Sequence, residues 1–231
     1  VRSRGLGDVY KRQALTTAFT LLVLITFIKK PPLSRYALPY AIFTSGFADM
    51  MLDLAIIFTF QTLYGYLYYQ IGLLITAFMV GIALSSLFIT QRLERIKNSP
   101  GLFLVTEALI LLFSLLLPFV LSIPSHHLEK LTVYVLLYVT FMVMSFLCGV
   151  LVGLQFPLAT KIYLGTSSTG GKFGQTAGLL YGADLLGGFF GGLFGGVLLL
   201  PILGLRESCF MMAIIKMSSF ILFFLFTRLR K

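Results

Sequence analysis

The chain has 231 residues, 58% of them hydrophobic and 11% charged, with a mean hydropathy of +0.97. So little polar side chain cannot cover a water-soluble globule, so the composition excludes one and indicates a polytopic membrane protein. The formal charge is +10, but the bases stand in short groups between apolar runs, as topology signals do, and nucleic acid is not expected as a partner.

In chain order, Ser3 to Gln13 reads SRGLGDVYKRQ. It matches the in-frame translation of a sequencing adaptor whose end, GAT GTG TAT AAG AGA CAG, encodes DVYKRQ, so residues 1–13 are left out of fold reasoning. Without Arg2, Arg4, Lys11, Arg12 and Asp8 the formal charge falls from +10 to +7. Ala14 to Ile28 is a 15-residue apolar run. At about 1.5 Å per residue it reaches about 22 Å, short of a hydrocarbon core about 30 Å thick. It reads as a helix whose start is missing, and the chain as the C-terminal part of a longer protein.

Six further spans follow at 36–60, 71–90, 102–123, 131–158, 176–203 and 208–227. The expected fold is therefore all-α: a polytopic membrane helix bundle of about seven transmembrane helices, the first truncated, over residues 14–231. One set of alternate loops holds Lys29, Lys30, Arg35, Arg92, Arg95, Lys97, Lys161, Lys172, Arg228, Arg230 and Lys231; the opposite set holds Lys130 and Arg206. That bias puts the basic loops and the C-terminus in the cytoplasm, in an expected plasma membrane of bacterial type. The loop 61–70, with Tyr64, Tyr66, Tyr68 and Tyr69, reads as an interfacial aromatic belt in a chain without Trp.

Ionisable residues inside apolar spans are the functional candidates. Asp49 and Asp53 are four residues apart and project from one helix face. Two carboxylates there resist ionising together, so one holds a proton or both share a cation; the alternative is that they meet water at the cytoplasmic end or pair with Arg35 or Lys216. Lys216 is too deep to snorkel and needs an acid, with Asp49, Asp53 and Asp184 as candidates, either as a structural salt bridge or as a cargo counter-ion. Glu107 is read as a helix-start acid that complements the dipole and reaches the interface. Gly149, Gly153 and Pro157 would allow a break onto a cavity, or an ordinary proline kink.

The stretch Gly178 to Gly204, GLLYGADLLGGFFGGLFGGVLLLPILG, is the most patterned. Gly187, Gly191 and Gly195 recur every four residues, with Gly188, Gly192 and Gly196 beside them, so a neighbouring backbone can approach closely. Asp184, one turn before Gly188, is expected to face the same neighbour, as a helix-end acid or as part of a polar cavity.

Several motifs fail. Gly165 to Gly174, GTSSTGGKFG, lacks the spacing of a phosphate-cradling loop. His126, His127 and Glu129 have no second cluster to complete a metal site, and Cys148 and Cys209 lie in apolar spans. No metal, no cofactor and no catalytic arrangement is expected.

The blocks FTSGFADMMLDLAIIFTFQTLYGYLYYQIGLLITAFMVGIALSS, GLQFPLA and GLLYGADLLGGFFGGLFGGVLLLPILGLR, in that order, resemble the membrane part of fused major-facilitator/spermidine-synthase-like proteins. The resemblance covers nearly everything after residue 40. It implies an acid at Asp53, whereas Asp49 stands where the family is typically small. The fusions' aminopropyltransferase signature does not occur here, so enzyme activity does not carry over. The turn Arg92, Glu94, Arg95, Lys97 resembles a degenerate form of the facilitators' cytoplasmic turn motif, and the six spans resemble a facilitator half.

The expected function is a transporter-like domain in which Asp49, Asp53, Asp184 and Lys216 line a polar site for a small cation; the resemblance supplies a polyamine. The alternative is a non-transporting membrane anchor or regulatory scaffold for a cytoplasmic aminopropyltransferase-like domain. A third reading is the substrate chamber of an enzyme acting on a membrane-dissolved compound. The partners implied are the lipid bilayer, a missing upstream half and that cytoplasmic domain.

Overall fold

An apolar segment in oil must satisfy its own backbone polar groups, which helices do within a single segment. The computed structural model describes residues 33–65, 68–96, 98–121, 131–165 and 173–229. The expectations for residues 1–28, for the side chain of Arg35, for Tyr66, for His126, His127 and Glu129, and for Lys29, Lys30, Lys97, Lys130, Lys172, Arg230 and Lys231 lie outside the described residues.

Helix α1 is Leu33–Tyr64, α2 Tyr68–Arg92, α3 Ser99–Leu121 and α4 Leu131–Leu164. Helix α5, Phe173–Phe194, passes through a π-helical turn at Gly195–Leu199 into the short α6, Leu200–Leu203, and α7 is Leu205–Leu229. Among the described residues six helices are long and apolar enough to cross a membrane, α5 together with its π turn and α6 making one of them. Most ends extend a few residues beyond the hydropathy limits, because the backbone ladder does not stop where the side chains turn polar. At the start of α3, Asn98 acts as the cap, its Oδ1 accepting from the Gly101 amide at 3.1 Å.

Pro39, Pro118 and Pro157 all lie inside continuous helices, so the break considered at Gly149, Gly153 and Pro157 does not occur. The one departure from α geometry in the fifth membrane helix precedes Pro201. Without an N–H there, the ladder loosens, and the Leu200 amide donates to the Gly195 carbonyl five residues back. Gly204, at φ +83°, then ends α6 and sends the chain directly into α7.

The strongest packing pairs are α2 with α4, α1 with α5 and α3 with α7. Exchanging the triplets α1, α2, α3 and α4, α5, α7 maps this set of pairs onto itself. That is the symmetry of two three-helix repeats within a facilitator half. Helix α1 is the central post: 78% of its apolar stretch is buried, against 22% for α2.

Both symmetry-related pairs, α1–α5 and α2–α4, meet through glycine. A Cβ on Gly187 would collide with the Phe43 carbonyl, one on Gly195 with the Met51 sulfur, and one on Gly191 would come 2.5 Å from the Phe47 carbonyl. A Cβ on Gly188 or Gly196 would sit at the edge of this contact, 3.4 Å from Met50 and 3.5 Å from Leu54 respectively, while one on Gly192 would meet nothing within 4 Å. In the second pair, a Cβ on Gly149 would collide with the Phe78 carbonyl and one on Gly81 with the Phe146 carbonyl. Close backbone approach of this kind replaces the hydrophobic drive that oil cannot supply between helices.

Candidate functional site

The glycine seam of α1 and α5 brings Asp184 against α1. A Cβ on Gly46 would collide with the Asp184 carbonyl and come 2.8 Å from its Oδ1. Three residues beyond Gly46 on α1 is Asp49. Asp184, Lys216, Glu107 and Asp53 all lie within electrostatic range of the Asp49 carboxylate, and Lys216 is also in range of Asp184. Acids from α1, α3 and α5 and the lysine of α7 therefore share one region of the bundle. Asp53 is next to it on α1, and both Asp49 and Asp53 act on Cys148 of α4.

Lys216 is 0% exposed and is bonded to Glu107, also 0% exposed, with Nζ 2.9 Å from Oε1. This corrects both sequence expectations: the partner of Lys216 is not one of the three aspartates, and Glu107 is not an interfacial acid. The physical reason is lateral. Glu107 lies near one end of α3, but α1, α4 and α7 enclose it on its core-facing side.

The same Oε1 collects two further groups. Gln155 Nε2 on α4 donates to it at 2.8 Å, and Ser45 Oγ on α1 lies 3.3 Å away. Ser45 Oγ also accepts from Lys216 Nζ at 2.8 Å and lies 2.8 Å from the Ala41 carbonyl. Four helices are thus joined at one carboxylate oxygen. Such a knot is fully charge-balanced, which is what burial of an ion pair demands.

The aspartates are not balanced in that way. Asp49 is 6% and Asp53 8% exposed, and Oδ1 of each lacks a hydrogen-bond partner among the described residues. Glu107 Oε2 and Gln155 Oε1 are likewise bare. The region therefore carries three aspartates and an already paired lysine, with several acceptor atoms directed at no donor. Among the described residues no three His, Cys, Asp or Glu side chains are grouped as metal ligands. Chemically the arrangement favours a proton or a cation bearing N–H donors, since either would supply what bare carboxylate oxygens lack.

At one end of the bundle Lys161 of α4 reaches the turn after α2. Its Nζ donates to the carbonyls of Leu93 and Ile96 at 2.5 and 2.8 Å. The lysine counted among the topology bases therefore also caps the helical turn Leu93–Arg95, tying the turn between α2 and α3 to α4.

Ser45 and Gln155 were not singled out in the sequence. Their signal was faint but present: Gln155 is a polar residue amid GVLVGLQFP, and Ser45 is one turn before Asp49. The sequence could not join them to Glu107, because the three lie on different helices.

A family model described as Major Facilitator Superfamily matches residues 40–231. No curated protein and no solved structure matches the chain. The six membrane-length helices, their paired three-helix arrangement and the family match agree: the chain is an integral membrane domain of the transporter type and belongs to the major facilitator superfamily.

Proposed function

We propose that this domain moves a small cation, a proton or a polyamine, past Asp49, Asp53 and Asp184. The observation that carries the reading is Asp49: a carboxylate 6% exposed, with a bare Oδ1, facing a lysine that Glu107 already holds. A carboxylate left unpaired in oil costs several kcal/mol, and cargo or a proton relieves that cost. Lys216 is assigned to the scaffold, as the structural partner of Glu107. The basic loops and the C-terminus face the cytoplasm, and the intact protein resembles the spermidine-synthase-like fusions.

The test is uptake by the full-length protein in liposomes, followed with labelled spermidine and, in parallel, with a pH-sensitive dye. Asp49→Asn and Asp53→Asn should each abolish uptake while the thermal midpoint stays within a few degrees of the parent. Unchanged uptake in both would reject the aspartates as the site.

A specific observation favours a second reading in part. The four-helix knot at Glu107 is a device for rigidity, as an anchor or scaffold for a cytoplasmic aminopropyltransferase-like domain would need. On that reading the aspartate replacements lower protein yield and thermal stability, and no cation moves.

A further inference from the structure

Where α3 begins and α7 ends, the two helices line a cavity of about 610 Å³. Its rim is polar, formed by Asn98, Thr227 and Arg228, and its inner wall is apolar, formed by Leu104, Phe224 and Phe226. The membrane spans Ser99–Val120 and Leu205–Arg228 start and stop at this level, so the cavity lies where hydrocarbon gives way to headgroups. Phe226 is buried; its ring lies 5.7 Å from that of Phe223, which meets Phe103 at 4.6 Å. One side of the cavity is therefore core, while Phe224, 39% exposed, faces out of the bundle.

Arg228 is the charge at the rim. Phe224 stands one turn earlier on α7, and the guanidinium lies over its ring, 5.3 Å from the centroid. No acid pairs with it among the described residues, and the sequence has no Asp or Glu in 95–106 or in 208–231. A guanidinium stacked on a ring keeps its in-plane N–H fork free, and that fork matches two oxygens of a phosphate. Asn98 Nδ2 is a second donor without an acceptor among the described residues. Thr227 already donates its hydroxyl proton to the Phe224 carbonyl at 2.7 Å. The end of α3 adds little of its own, because Pro100 has no N–H and the Gly101 amide is taken by Asn98. Arg92 and Arg206 stack in the same way on Phe88 and Phe210, but neither lines this cavity.

A ligand that fits has an anionic head for the rim and hydrocarbon for the inner wall. A soluble phosphate ester would leave the apolar wall unfilled. A choline or ethanolamine headgroup would bring a second cation to a rim that has no acid to receive it. The volume falls within the roughly 300–1,000 Å³ of small-molecule sites. We propose that the cavity between α3 and α7 binds a phospholipid of net negative headgroup, its phosphate on Arg228 and Asn98 and one acyl chain along Leu104 and Phe224. Basic pockets between membrane helices hold anionic headgroups in this way. The site is separate from the buried aspartates and does not depend on what they carry.

The experiment titrates full-length protein in neutral detergent with phosphatidylglycerol, phosphatidylcholine and soluble glycerol phosphate, and counts bound lipid by native mass spectrometry. The first phosphatidylglycerol should bind about tenfold more tightly than phosphatidylcholine, and glycerol phosphate should not displace it. Arg228→Gln should weaken that binding about tenfold, and Arg228→Lys, which keeps the charge without the fork, should weaken it less. Arg206→Gln removes the same charge from the other end of α7 and should leave it unchanged. Both arginines are exposed, so the lipid-free thermal midpoint of each variant should match the parent. Equal losses for Arg206→Gln and Arg228→Gln, or equal binding of the two lipids, would reduce the contact to an ordinary lipid shell and overturn the site. Displacement by glycerol phosphate at a comparable concentration would make it a site for soluble phosphate esters and overturn the lipid assignment.

Discussion

Replacing Lys216 by Met tests the buried knot most directly. The ammonium and the Glu107 carboxylate are both 0% exposed and 2.9 Å apart. At an effective dielectric constant of about 20, that separation corresponds to about 6 kcal/mol of attraction. Much of it is offset by desolvation, so the cost of breaking the pair is set by the charge left behind, about 3–5 kcal/mol. For a protein of this size each kcal/mol moves the thermal midpoint by roughly 2–4 °C, so Lys216→Met should lower it by about 10 °C. Glu107→Leu alone should do similar damage by stranding the ammonium. The double variant strands neither charge and should return to within a few degrees of the parent, because a buried pair exchanged for apolar groups of similar volume is often neutral. Unfolding can be followed with a thiol-reactive fluorogenic dye, since Cys148 and Cys209 are free and each 1% exposed. A double variant no more stable than either single one would refute the pairing.

The same packing sets three further outcomes. Gly187→Ala should lower the thermal midpoint by several degrees because its Cβ meets the Phe43 carbonyl, whereas Gly192→Ala, with nothing within 4 Å, should be neutral or gain up to about 1 kcal/mol from helix propensity; the opposite order in a melting experiment would remove the proposed seam. Gln155→Leu should cost about 2 kcal/mol, less than Lys216→Met, because it removes one hydrogen bond to a carboxylate that keeps its counter-ion; a loss equal to that of the lysine would mean the amide, not the charge, holds the knot. Lys161→Met should release the carbonyls of Leu93 and Ile96, and hydrogen exchange across the segment ending α2 should speed up several-fold; unchanged protection there would show that the cap is idle.

The helices were legible because oil leaves the backbone so few choices. Each described span appeared where a run of apolar residues demanded it, with ends displaced by a few residues because caps such as Asn98 lie outside the apolar run. The glycine pattern of 187, 191 and 195 also pointed to a close neighbour, though it could not name α1. The same logic left Gly149 and Gly153 open. With Pro157 beside them they allowed a break or an ordinary proline kink, whereas they do for α2 what the other set does for α1. A glycine has no side chain in either case, and whether that absence is filled by a carbonyl or by space is decided by the partner helix.

The candidate site was legible as a list of costs, not as a set of pairs. Every buried charge was visible as an anomaly in an apolar run, and Lys216 was correctly seen to need an acid. Depth measured along one helix then assigned Glu107 to the interface, and the three aspartates remained as the apparent suitors. In three dimensions the lysine goes to the acid that also has donors from α1 and α4, because a carboxylate oxygen accepting from Lys216 and Gln155 is better compensated than one facing the lysine alone. That choice has a consequence for function. Once Glu107 holds Lys216, Asp49 has no ion-pair partner of its own among the described residues, and a carboxylate so placed in oil is costly unless a proton or a cation relieves it, which is the premise of the proposed function.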